Sequence, residues 1–214
     1  PALKLIEMRN YFTEFIGTFF LVLVVVMTGN GGQTQWMPLA VGSAYAVLMY
    51  AGFAQSGAHY NPAVTLAHYF QGKFELSEVL PYVAAQIVGA FLATLLATPL
   101  LAELNVEQVA IRSVPMIPSL IAEFLGTFLL LWVLFQVTIY QQERIQSFYG
   151  FAVGFAYLTG IFAFQRISGA AFNPAIAIGM MTAGMLSWSD LWIFLVANLA
   201  AAGVIGYGWK WLHG

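Results

Sequence analysis

Cysteine is absent from this 214-residue chain, which excludes disulfides, thiolate metal sites and cysteine nucleophiles. Histidine is scarce. His59, His68 and His213 are too scattered to suggest a metal cage, so no metal ligand set is assigned. Charge is scarce as well, at 7% of residues against roughly 25% in soluble domains. A chain so poor in charge lacks a surface that water can disperse. Its formal net charge of -2 argues against a polyanion, so no nucleic-acid partner is expected. No Gly-x-x-x-x-Gly-Lys, Gly-x-Ser-x-Gly or His-Glu-x-x-His occurs, and the few charged residues cannot build a catalytic dyad. Neither an enzyme nor a cofactor is expected.

What the chain has instead is apolar length, with 61% of its residues hydrophobic. A spanning helix needs about 20 mostly apolar residues. Six stretches meet that need: Tyr11–Thr28, Met37–Ala54, Pro81–Ala102, Ser119–Ile139, Ser147–Phe164 and Leu191–Trp211. Two further apolar pieces, Pro62–Phe70 and Pro174–Ala183, are too short to span. The first span reads as a membrane helix rather than a signal peptide, because its apolar run is long and no small-x-small cleavage site follows it cleanly. With a cytoplasmic N-terminus, Lys4, Arg9, Lys73, Arg144 and Lys210 fall inside and Arg112 and Arg166 outside. That asymmetry favours both termini in the cytoplasm. Trp36, Trp188, Trp209 and Trp211 sit near span ends, where interfacial aromatics belong.

The chain also repeats itself. Glu14-Phe-Ile-Gly-Thr-Phe-Phe-Leu21 returns 109 residues later as Glu123-Phe-Leu-Gly-Thr-Phe-Leu-Leu130. Gly57-Ala-His-Tyr-Asn-Pro-Ala-Val64 returns 112 residues later as Gly169-Ala-Ala-Phe-Asn-Pro-Ala-Ile176. Each half, about 8–103 and about 118–212, holds three spans and one short segment. Three is odd, so the second half enters the membrane from the opposite side and the repeats are inverted. Such folds place a pathway near the midplane between the repeats. The expected class is therefore an all-α integral membrane protein, with six transmembrane helices and two re-entrant half-helices. The halves form one domain, joined by the polar connector around Glu103, Asn105, Glu107 and Arg112.

Asn61-Pro62-Ala63 and Asn173-Pro174-Ala175 each stand between a Gly-containing polar stretch and a short apolar run. Asn is a good N-cap and Pro a good first helical residue, so each motif should open a half-helix at mid-depth. Irregular backbone at that depth survives only when buried in protein or lining a wet cavity. The loops 57–60 and 169–172 (Gly57, Ala58, His59, Tyr60; Gly169, Ala170, Ala171, Phe172) would offer carbonyls along a path, and the two asparagines would offer donors at its centre. Each half-helix brings a partial positive charge of roughly +0.5 at its N-terminus. A cation is repelled there, while a neutral hydrogen-bonding molecule is oriented.

At these residues, from Glu14-Phe-Ile-Gly-Thr through Ser56-Gly-Ala-His-Tyr-Asn-Pro-Ala-Val-Thr65 to Ile167-Ser-Gly-Ala-Ala-Phe-Asn-Pro-Ala175, the sequence resembles the aquaporin (major intrinsic protein) family over its whole length. The resemblance implies a six-helix bundle with two half-helices, a homotetramer with one pore per subunit, and passage of water or small neutral solutes. It maps the family's central asparagines onto Asn61 and Asn173, and places His59 along the inner half of the pore, where histidine could respond to pH. One departure stands out. The family's outer filter carries an arginine three residues after the second Asn, where this chain has Ile176. The other filter positions fall on Val41, Ile161 and Ala170, so the inferred filter has no side-chain donor. Arg166, seven residues before Asn173, is a candidate to lean over the outer mouth or a solvated loop residue.

Tyr45 and Tyr157 each lie sixteen residues before a motif Asn and one helical turn from Val41 and Ile161. Residues at i and i+4 share a helix face. Either the tyrosines narrow the passage near its middle, or they pack between helices with their hydroxyls on neighbouring carbonyls. Glu14 and Glu123 are costly intramembrane carboxylates that the resemblance assigns to bracing the re-entrant loops. His68 and His213 are read as ordinary. The expected function is a passive channel for water or small neutral solutes, in contact with membrane lipid, in what reads as a prokaryotic plasma membrane. A variant of that reading has the apolar filter favour ammonia, carbon dioxide, peroxide or glycerol over water. A third reading is a non-conducting or proton-coupled protein on the same scaffold.

Overall fold

A computed structural model describes residues 2–104, 110–140 and 147–213. Eight α-helices follow one another: α1 (Ala2–Asn30), α2 (Met37–Ser56), α3 (Pro62–Gln71), α4 (Leu76–Glu103), α5 (Met116–Phe135), α6 (Tyr149–Phe164), α7 (Pro174–Thr182) and α8 (Leu191–His213). A π turn, Gln136–Tyr140, extends α5, and a 3-10 turn, Trp188–Asp190, leads into α8. Asn105, Glu107 and Arg144 lie outside the described residues, as does the side chain of Lys4.

Among the described residues, five helices are long and apolar enough to cross a membrane. The sixth expected span, α6, has 16 residues and is about 24 Å long, shorter than the roughly 30 Å hydrocarbon core. The half-helices α3 and α7 have 10 and 9 residues. Helix α4 opens at Leu76, earlier than the expected start at Pro81, and carries Pro81 inside it. Proline near a helix start removes one backbone bond, a loss that membrane helices accommodate.

The distribution of polarity is inside-out. Leu80, Leu95 and Trp211 stand exposed on the outer face, whereas Glu14, Asn61, Gln86, Glu123, Asn173 and Asn198 are buried. Water would reject that arrangement, and lipid favours it.

Packing repeats between the halves. α1 lies on α4 as α5 lies on α8, while α2 meets α6 across the junction. The half-helices cross over, α3 packing chiefly on α8 and α7 on α4. Lipid-exposed helices gain little from apolar burial against one another, so close van der Waals approach decides the contact. Gly42 of α2 and Gly154 of α6 face each other. A Cβ at Gly42 would fall 2.6 Å from Leu158 Cβ and 2.8 Å from the Gly154 carbonyl oxygen.

Overpacking a core costs typically about 1–3 kcal/mol. Gly42→Leu should therefore lower the thermal unfolding midpoint of the purified protein by several degrees. Gly203→Ala, whose added carbon meets nothing within 4 Å, should leave it unchanged. Equal midpoints for both variants would contradict the α2–α6 contact.

Candidate functional site

The site begins with two backbone segments that the chain folds against its own preferences. Gly57 (φ 82°), Ala58 (φ 50°) and Tyr60 (φ 48°) lie in the left-handed region, and so do Gly169 (φ 94°), Ala170 (φ 57°) and Phe172 (φ 47°). Glycine tolerates that region, but each non-glycine residue there costs about 1–2 kcal/mol. One buried carboxylate in each half holds the loop in this shape. Glu14 Oε1 accepts from Ser56 Oγ (2.7 Å) and the His59 amide (2.9 Å). Its Oε2 accepts from the Tyr60 amide (2.6 Å) and Gln86 Nε2 (2.8 Å). Glu123 does the same in the second half. Its Oε1 accepts from Ser168 Oγ (2.6 Å) and the Ala171 amide (3.0 Å). Its Oε2 accepts from the Phe172 amide (2.7 Å) and Asn198 Nδ2 (3.2 Å). Each such bond contributes roughly 1 kcal/mol net, enough together to offset the backbone strain.

The loops deliver the two asparagines to each other. Asn61 caps α3 by accepting from the Ala63 amide at 2.9 Å, and Asn173 caps α7 from the Ala175 amide at 2.9 Å. The side-chain nitrogens then cross over. Asn61 Nδ2 donates to the Phe172 carbonyl (2.9 Å) and Asn173 Nδ2 to the Tyr60 carbonyl (2.8 Å). An amide nitrogen carries two hydrogens. One hydrogen of each is thus tied across the junction, which fixes the direction of the other. Pro62, Ala63, Pro174 and Ala175 are buried at the starts of the half-helices.

Tyr45 and Tyr157 meet at this junction. Their rings touch edge to face, with centroids 5.3 Å apart. The Tyr45 hydroxyl donates to the His59 carbonyl (3.2 Å) and the Tyr157 hydroxyl to the Ala171 carbonyl. The hydroxyls therefore sit on loop carbonyls, as one of the two placements considered from sequence has them, and the rings also touch each other. The loop acceptors are also less available than the sequence implied. The carbonyls of His59, Tyr60, Ala171 and Phe172 already receive donors from tyrosine or asparagine. Val41, Ile161, Ala170 and Ile176 are all buried, at 0–2% exposure.

On the other side of the first loop, the rings of His59 and His68 stack, 4.4 Å apart and 19° from parallel. His59 Nδ1 lies 3.1 Å from Thr65 Oγ1, and His68 Nδ1 2.9 Å from the Val64 carbonyl. Beyond the second loop lies a cavity of about 590 Å³, lined by Gly169 and Met180 together with Arg112 and Arg166. Arg166 is placed at its wall, and Arg112 joins it there.

Sequence reasoning missed Gln86, Asn198, His68 and Arg112. A signal for the first two existed. Gln86 and Asn198 are lone amides in apolar spans, separated by the same 112 residues as the two motifs. Arg112 has no such signal, because its position depends on how the connector folds back.

The profile of the major intrinsic protein family matches residues 2–208. The chain is 33% identical over 198 residues to "Glycerol uptake facilitator protein-like 6" of Lactiplantibacillus plantarum (strain ATCC BAA-793 / NCIMB 8826 / WCFS1), covering 89% of this chain and 91% of that one. It is 32% identical over 204 residues to "Aquaporin NIP1-1" of Oryza sativa subsp. japonica, covering 91% of this chain and 70% of that one. The solved aquaglyceroporin from Plasmodium falciparum superposes with a TM-score of 0.75 at 22% identity, over 97% of this chain and 95% of that one.

The carboxylate geometry gives a sharp expectation for substitution. Glu14→Gln or Glu123→Gln places an amide NH2 where donors already point, so it should destabilise nearly as much as alanine. An unsatisfied buried donor costs roughly 1–3 kcal/mol. A thermal midpoint several degrees below wild type is expected for all four single variants, and a wild-type midpoint in the Gln variants would contradict the bracing role.

Proposed function

The chain belongs to the major intrinsic protein family, and from that premise we propose a conduction path that passes between Asn61 and Asn173. The fold is that of a passive channel for water and small neutral solutes; the members of this family are channels rather than enzymes. The observation that carries the proposed path is the pair of crossed asparagine bonds, which brings two half-helix N-termini together. Positive helix ends at mid-depth exclude cations and leave a neutral molecule as the species that can pass. Glu14 and Glu123 each accept four donors from their own half. That use supports a structural role over a proton relay.

The outer constriction in this reading is Val41, Ile161, Ala170 and Ile176, and the narrowest point is the Tyr45–Tyr157 contact. His59 and the carbonyls of Gly57, Ala58 and Gly169 complete the wall. An apolar filter without side-chain donors gives water no replacement for its lost hydrogen bonds. That favours less strongly hydrated permeants, with ammonia and carbon dioxide in that class. Glycerol is included on the strength of the bacterial relative's name. We read the protein as a homotetramer in a prokaryotic plasma membrane with both termini inside. The bacterial relative and the Lys and Arg distribution support that reading.

Stopped-flow scattering on proteoliposomes, with water, glycerol and ammonia in turn, tests the path. Tyr45→Ala or Tyr157→Ala should raise flux about tenfold, equivalent to about 1.4 kcal/mol of barrier. Unchanged flux in both variants would remove the tyrosines as the constriction, and wild-type flux no faster than empty liposomes for all three solutes would remove the path.

A further inference from the structure

Charge is so sparse in this chain that its concentration in one place is informative. Two of the seven Lys and Arg residues, Arg112 and Arg166, line the same cavity of about 590 Å³. Among the described residues, no Asp or Glu lines it. Asp190, in the turn that leads into α8, is turned to other partners. Its Oδ2 accepts from the Val114 amide (2.9 Å) and its Oδ1 from Ser189 Oγ (3.2 Å).

Arg112 is held in place by its backbone. Its amide donates to the Met185 carbonyl (3.3 Å), and its carbonyl accepts from the Ser187 amide (3.0 Å). Its side-chain Nη2 donates to the Ile167 carbonyl (3.0 Å), one residue before Ser168 and the second re-entrant loop. This contact uses one of five guanidinium hydrogens. Arg166 comes from the turn after α6, so two separate elements supply the two cations. The rest of the lining is largely apolar and soft, with Met37, Met180, Met185 and Leu186 beside the polar Thr34, Gln35 and Gln165.

A cavity lined by two arginines together with thioethers and an aliphatic side chain matches a small amphipathic anion. Guanidinium pairs with planar carboxylate through parallel hydrogen bonds, while methionine adapts to a short alkyl chain. We propose that this cavity is a binding site for short-chain carboxylates, held by Arg112 and Arg166 over the entrance bounded by Gly169. Binding itself does not depend on conduction. Only the position of the site over an entrance rests on the path proposed above.

Both arginines are exposed, so the attraction is screened by solvent and salt, and affinity should be roughly millimolar. The test is saturation-transfer NMR on the purified protein in zwitterionic-lipid nanodiscs at neutral pH. Propionate, propionamide and propylammonium serve as probes of matched length and different charge. Propionate should bind, propionamide at least about tenfold more weakly, and propylammonium not at all, since a like charge is repelled. Raising the salt to about 1 M, where the Debye length is near 3 Å, should weaken propionate several-fold.

Arg112→Gln/Arg166→Gln keeps an amide able to donate to Ile167 but removes both charges, and should abolish binding. Arg112→Lys/Arg166→Lys should retain part of it. Equal binding of propionate and propionamide, or undiminished propionate binding by the Gln double variant, would overturn the proposal. Flux measured in parallel separates the two readings, because propionate binding by a protein that conducts nothing would sink the path and leave the site standing.

Discussion

A carboxylate sealed inside each half of the protein holds a stretch of backbone that would otherwise relax. Glu14 reaches the amides of His59 and Tyr60, and Glu123 reaches those of Ala171 and Phe172. Those amides belong to loops whose left-handed residues include alanine, tyrosine and phenylalanine, none of which favours that conformation unaided. The strained loop in turn aims Asn61 and Asn173, and the asparagines start the half-helices. Remove the carboxylate and the buried amides that donate to it lose their acceptor. A carboxylate at odds with the apolar span that carries it is therefore the element on which the central geometry rests.

The duplication shows how closely the two halves solve one packing problem. Gly17 and Gly126 lie at equivalent positions in α1 and α5, where any Cβ would strike the ring of Tyr60 or Phe172. Gln86 and Asn198 bring the fourth donor to their carboxylates from α4 and α8. Tyr45 and Tyr157 reach matching loop carbonyls and meet each other. The halves differ beside the loops. The first half places the His59–His68 stack there, and the second opens to the cavity with Arg112 and Arg166. Equivalent frames thus carry different chemistry at the two ends of the proposed path.

Much of this is legible in the sequence. Apolar run length gave the spans, the two offsets gave the inverted repeat, and the Asn-Pro pairs gave the half-helices, because each rests on a local rule that needs no tertiary context. The short α6 and the early start of α4 show the usual limit, since apolar run length alone does not mark where a helix begins. The occupied loop carbonyls were hidden for a different reason. Whether a carbonyl faces a passage or a tyrosine hydroxyl depends on how α2 and α6 rotate, and their glycines set that. Arg112 was the least visible of all, because only the connector's return past Met185 and Ser187 brings it to the cavity wall.

Amide hydrogen exchange across residues 57–61 and 169–173 in lipid nanodiscs tests the bracing most directly. If the two carboxylates hold these loops, the His59, Tyr60, Ala171 and Phe172 amides exchange as slowly as the centres of α1 and α5, although they lie outside any helix. Exchange at the rate of the exposed turn at Gly32–Gln35 would mean that the carboxylates do not hold the loops, and the geometry built on them would fall.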